Sequence, residues 1–82
     1  MANKSGPTTV TLYVVPDCPL CAHAREWLTE HGIIYVERDV KSNFGALRAM
    51  YELTQQRLVP VFEARGEALV RPTDKQLAEF LL

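Results

Sequence analysis

Leu12-Tyr13-Val14-Val15-Pro16-Asp17-Cys18-Pro19-Leu20-Cys21 is the stretch that decides both the fold and the chemistry. It opens as the end of a β-rich apolar run, breaks at Pro16-Asp17, and resumes with the chain's only two cysteines, three positions apart. Thr8 to Val15 is rich in β-branched and aromatic residues and reads as a strand buried on both faces. Pro19 suits the first position of a helix, where its missing N–H costs nothing, so a helix is expected to start at Cys18. The positive end of such a helix favours a thiolate over a thiol, by ~0.3–1 kcal/mol when exposed and up to ~2 when partly buried. Asp17, a carboxylate beside the first sulfur, opposes it. Two thiols on one helical turn can close into a disulfide with little backbone movement, and the pair reads as a dithiol switch.

Outward from this stretch, Leu20, Ala24, Trp27, Leu28 and His31 recur at three- and four-residue intervals, and Gly32 supplies a helix stop. Ile33 to Glu37 reads as a second strand, so the first half has the strand, helix, strand pattern of a parallel crossover unit. Asn43 to Gln55 is expected to be a second helix, with Leu47, Met50, Tyr51 and Thr54 on one face and Gly45 weakening its start. Val61 to Ala64 and Glu67 to Val70 are short strands joined by Arg65-Gly66, a link that implies an antiparallel hairpin. Thr73 followed by Gln76 is a capping box, opening a last helix that turns Leu77, Phe80, Leu81 and Leu82 inward. The order β-α-β-α-β-β-α suits an α/β domain with a mixed four-stranded sheet flanked by helices.

Composition narrows the function. At 82 residues and 48% hydrophobic content, the chain fits one small domain over 8–82, after a loose polar tail over 1–7. Two cysteines are too few for a disulfide scaffold, which leaves redox or metal chemistry and points to the cytoplasm. His23 lies two residues after Cys21 on the same expected helix and His31 at its far end, a placement that does not suit a shared tetrahedral zinc site, and no metal is expected. Both histidines then read as surface or cap residues, and Tyr13, Trp27 and Phe62 as core. A net charge of −1 with scattered Lys and Arg gives no nucleic-acid stripe. No apolar run approaches the ~20 residues that span a bilayer. The polar start lacks the apolar segment of a secretory signal, and a monomer is the default.

With these residues in order, the chain resembles a glutaredoxin. The resemblance rests on Leu12 to Cys21, then Ala24-Arg25 and Leu28, then Leu53-Thr54 and Gln56-Arg57-Leu58-Val59-Pro60-Val61-Phe62. It implies a thioredoxin-like fold in which Val59-Pro60 is a cis peptide beside the dithiol, with Pro19, Val59 and Pro60 supporting the site. Position agrees, because a proline just before an apolar strand opens it without breaking a ladder, and a cis bond would leave Val59 backbone groups free for an extended partner. The implied activity is reduction of protein or glutathione mixed disulfides. Cys18 is the attacking thiolate and Cys21 the resolving thiol. No bound cofactor is implied, with glutathione a candidate cosubstrate.

Departures from the family pattern leave the reductant open. Val14 and Val15 stand where glutaredoxins commonly carry a glutathione-binding lysine, and Val70-Arg71-Pro72 replaces their Gly-Gly pair. Arg71-Pro72 is similar to the redoxins that reduce ribonucleotide reductase and take electrons from thioredoxin reductase. Candidate contacts for glutathione or a partner are Arg57, Val59, Thr73 and Asp74. The backbone at Thr73 and Asp74 would face a carboxylate, Arg57 would pair with another, and Asp74 would accept an ammonium. The contrasting expectation is an iron–sulfur cluster carrier, which some relatives are, usually with a single cysteine in the motif. The second thiol, Cys21, favours the enzyme.

Overall fold

Strand β1 (Val10–Val14) is the element against which the others are laid. The computed structural model describes residues 9–82, so the tail expected over 1–7 lies outside the described residues. Chain order is β1, α1 (Pro19–Glu30), β2 (Tyr35–Asp39), α2 (Phe44–Thr54), β3 (Val61–Ala64), β4 (Glu67–Val70) and α3 (Asp74–Leu81). The sheet runs β2-β1-β3-β4, with β1 and β2 parallel and the pairs β1–β3 and β3–β4 antiparallel. This is the mixed four-stranded sheet expected, in a thioredoxin-like fold. Leu12, Tyr13 and Val14 are all buried, as a strand covered on both faces requires.

Helix α1 ends where Gly32 was expected to stop it, and that stop moves the next strand. Gly32 has φ +67°, its N–H donates to the Thr29 carbonyl, and the Ile33 N–H reaches back to Leu28 at 2.9 Å. This Schellman arrangement consumes Ile33 as part of the helix end. Strand β2 therefore begins at Tyr35, two residues later than expected, in register Val10 to Tyr35 and Val14 to Asp39. Ile34 is left 86% exposed between the two elements.

The second half follows its local signals closely. Strands β3 and β4 have the expected bounds, and both linker residues, Arg65 and Gly66, adopt positive φ (56° and 81°). That left-handed pair matches the twist of a two-residue hairpin. Asn43 caps α2, its Oδ1 accepting the Ala46 N–H at 3.0 Å. On the α2 face Met50 is buried and Leu47 packs against the core as expected, but Ala46 joins them and Tyr51 points outward. Thr73 caps α3 through the full capping box, which buries Leu77 and leaves Leu82 exposed rather than inward. Phe62, Leu12, Leu28, Met50 and Leu77 are the large side chains removed from water, each contributing about 1.5–3 kcal/mol of burial. They hold the sheet against its helices and so fix the loops at its end. Among the described residues no helix is long and apolar enough to cross a membrane.

Candidate active site

The site is built where β1 hands over to α1. Pro16 and Asp17 make the turn, with Asp17 at φ +58°, a left-handed conformation that aspartate tolerates better than most residues. Cys18 follows in an extended conformation (φ −115°, ψ 109°) as the N-cap, and Pro19 takes the first helical position. The Cys18 carbonyl accepts the Ala22 N–H at 3.0 Å, while its Sγ accepts the Cys21 N–H at 3.2 Å. An N-cap side chain commonly accepts that kind of donor. Here the acceptor is sulfur, so the helix start favours its anionic form.

Burial separates the two sulfurs. Cys18 is partly exposed, whereas Cys21 is fully buried. Both are free thiols. Burial works to raise the Cys18 pKa but is overcome by hydrogen bonds from Cys21 and from the Leu20 backbone, together with the positive field of Arg71, leaving it below the ordinary thiol value. Asp17, expected to oppose this, is not among the groups that set it. Cys21 is pushed up to about 11, first by burial and then by its hydrogen bond to Cys18. The outer sulfur therefore ionises before the inner one.

Three other elements converge on this helix start. Val59 and Pro60 are buried and joined by a cis peptide bond. Arg71, just beyond β4 with φ +47°, donates its backbone N–H to the Pro60 carbonyl at 3.0 Å and its Nε to the Val59 carbonyl at 2.6 Å. The Val59 carbonyl is thus engaged, a correction to the expectation that its backbone stays free. Leu20, half exposed rather than inward, joins Pro60, Phe62, Arg71, Pro72 and Leu77 around a small apolar cleft. His23 also lines it, and its Nε2 lies 3.0 Å from the Asp74 carboxylate, bridging α1 to the first turn of α3. The hydrogen bond and charge of Asp74 raise the His23 pKa.

The structure thus gathers Cys18, Pro19, Cys21, Val59 and Pro60 at one end of the sheet, with Thr73 and Asp74 beside them. The hydroxyl and N–H of Thr73 are used in the capping box. Arg57 lies elsewhere, in a groove on α2 with Phe44, Leu47, Arg48, Tyr51 and Glu52. Arg71 is the functional side chain that sequence reasoning missed. Its Arg-Pro context is visible in the sequence, but its tie to Val59 spans twelve residues and leaves no local signal. His23 was expected to be an unremarkable surface residue, and its link to Asp74 spans fifty-one. Among the described residues, no three or more His, Cys, Asp or Glu side chains are placed to share a metal ion.

Comparison with known proteins agrees with this geometry. Over 61 residues the chain is 54% identical to the global transcriptional regulator Spx of Bacillus subtilis, a match covering 71% of this chain and 47% of that protein. It is 31% identical over 61 residues to the global transcriptional regulator Spx 2 of Bacillus cereus, with the same coverage of 71% and 47%. The chain spans about half the length of the curated relatives it matches. Among solved structures, the thioredoxin-like protein BC3987 superposes with a TM-score of 0.82 at 26% identity, covering 88% of this chain and 99% of that one. A glutaredoxin from Archaeoglobus fulgidus gives 0.80 at 18% identity over 90% and 86% of the two chains, a likeness of fold alone. The glutaredoxin family model matches residues 10–69, which takes in the dithiol, the cis-proline loop, strands β1 to β3 and all but the last residue of β4, and the chain therefore belongs to the glutaredoxin family.

Proposed function

We propose that this domain exchanges a dithiol for a disulfide, with Cys18 as nucleophile and Cys21 as resolving thiol. The observation that carries the reading is the sulfur N-cap: a solvent-reachable Sγ held by the Cys21 N–H, with a buried thiol one turn further in. Attack by the Cys18 thiolate on a substrate disulfide forms a mixed disulfide and expels the first substrate thiolate. Cys21 then attacks Cys18 Sγ, the mixed disulfide breaks, and the second substrate thiol leaves as Cys18–Cys21 closes. Substrates are disulfide-bearing proteins, which meet the apolar cleft beside Leu20 and Pro60.

For the electron donor, the positions suggested for glutathione are already engaged or displaced. Thr73 is used by its cap, Asp74 faces His23, and Arg57, in the segment after α2, lines a different groove from the cleft. This supports a protein dithiol donor of the thioredoxin reductase kind over the tripeptide. The test offers oxidised protein to glutathione with its reductase, and separately to thioredoxin reductase. Faster recovery of both thiols with the second is expected, and efficient recovery with glutathione alone would overturn the donor assignment.

A second reading is favoured by the relatives named as global transcriptional regulators. In it the same dithiol reports oxidation by closing once, as part of a regulator, instead of cycling. Sustained multiple turnover with an efficient reductant supports the enzyme. Fast closure with no turnover under any reductant supports the sensor.

A further inference from the structure

The attacking sulfur has its cation in Arg71, but the resolving sulfur has the harder task, because it must become a thiolate inside the core. Cys21 is fully buried, and no polar or charged residue is buried with it among the described residues. We propose that Arg25, held against β2 by Glu37, is the positioning residue for the second half of the exchange, its guanidinium supporting the Cys21 thiolate as that sulfur attacks Cys18. The proposal rests on the dithiol reading above and adds to it the residue that governs one of its two steps.

Geometry carries the assignment. Arg25 follows Cys21 by four positions on α1, so the two share one helix face. Its side chain is only 38% exposed, and its Nε donates to Glu37, which stands opposite Leu12 in the β1–β2 pairing. That contact ties a long side chain to the edge strand β2, one helical turn along α1 from the buried sulfur. Arg25 and Cys21 each favour the other's charged form. The other groups facing Cys21 are Cys18 and the Val15 backbone N–H, and those facing Arg25 are Glu37 and Tyr35 of β2. Glu37 tempers the guanidinium charge while fixing its place. In the mixed disulfide the Cys18 thiolate no longer opposes ionisation of Cys21, and Arg25 is the cation remaining beside it.

The step balances without any added reagent: the Cys21 thiol and the Cys18 mixed disulfide yield the Cys18–Cys21 disulfide and the substrate thiol, the Cys21 proton ending on the leaving sulfur. Loss of a nearby cation raises a thiol pKa by about one unit or more. The remaining thiolate is more nucleophilic, with a Brønsted coefficient of ~0.4–0.5, so the net slowing is roughly three- to ten-fold.

The experiment treats the reduced full chain with one equivalent of the aromatic disulfide 5,5′-dithiobis(2-nitrobenzoate) and follows release of its thiolate across a pH series. Release of the first equivalent reports attack by Cys18, and release of the second reports resolution by Cys21. Arg25→Gln should leave the first phase within about two-fold, slow the second roughly three- to ten-fold, and shift its rate profile to higher pH by about one unit. Arg25→Lys should restore the profile. A second phase at the wild-type rate in Arg25→Gln, equal slowing of both phases, or an unmoved pH profile would overturn the inference while leaving the dithiol reading intact. A wild-type protein that releases only the first equivalent overturns the dithiol reading itself, and this inference with it.

Discussion

The starts of α1 and α3 lie side by side, joined by the contact between His23 and Asp74, and they are built on the same cap. At α3 an extended Thr73 accepts the Gln76 N–H at 3.1 Å, and at α1 an extended Cys18 accepts the Cys21 N–H at 3.2 Å. The oxygen satisfies an orphan donor and the matter ends there. A thiol sulfur is a weak acceptor and its thiolate a better one, so the same geometry at α1 stabilises a charged nucleophile. One turn inside, α3 buries Leu77 and α1 buries Cys21. The difference teaches that the site is a helix start of ordinary architecture in which two side chains have been exchanged for sulfur.

The strongest way to break the comparison is to make the two starts chemically alike. Cys18→Ser should abolish disulfide reduction while changing the stability of the reduced protein by less than about 0.5 kcal/mol, because serine is a good N-cap. Turnover and urea denaturation check the two halves. Cys21→Ser should retain the first attack and accumulate the mixed disulfide, seen as a mass increase on the intact chain. Equal loss in both variants would erase the distinction between the sulfurs.

A second test uses pH. Because the Cys21 pKa is raised from 9.0 to about 11 on folding, the folded state favours its protonated form. That contribution is fully present below pH 9.0 and is lost as pH rises through about 11. It amounts to roughly 2–3 kcal/mol at 1.36 kcal/mol per unit. Cys18 has the opposite sign, its lowered pKa contributing stability above the ordinary thiol value that is lost as pH falls through the folded one. Denaturation of reduced protein across this window, referenced to Cys21→Ala, should show the alkaline loss in the wild type alone.

Smaller effects sharpen the contrast. Thr73→Ala removes the oxygen cap and should cost about 0.5–2 kcal/mol, with the alkylation rate of Cys18 unmoved. Arg71→Gln removes the charge near Cys18 and should raise its alkylation midpoint by about one pH unit or less. A normal midpoint shift in Thr73→Ala and none in Arg71→Gln would reverse the assignment of the two helix starts.

What the sequence made legible was local. The hairpin at Arg65-Gly66, the Thr73–Gln76 box and the Cys18-Pro19 helix start each lie within a few residues, and each was found where expected. Strand β2 was displaced because the Schellman stop at Gly32 used Ile33, a competition that an apolar run cannot reveal. Tyr51, Leu82 and Leu20 face outward because the faces of short helices are fixed by what they pack on. Arg71, His23 with Asp74, and Arg25 with Glu37 act across separations of twelve, fifty-one and twelve residues, which only the fold brings together.

The most direct measurement of the central claim is alkylation of the reduced protein by iodoacetamide across a pH series, with each cysteine's modification mapped by peptide mass spectrometry. Cys18 should be modified with a midpoint below the ordinary thiol value of 9.0 while Cys21 stays unmodified. Equal modification of the two sulfurs, or modification of Cys21 first, would contradict it.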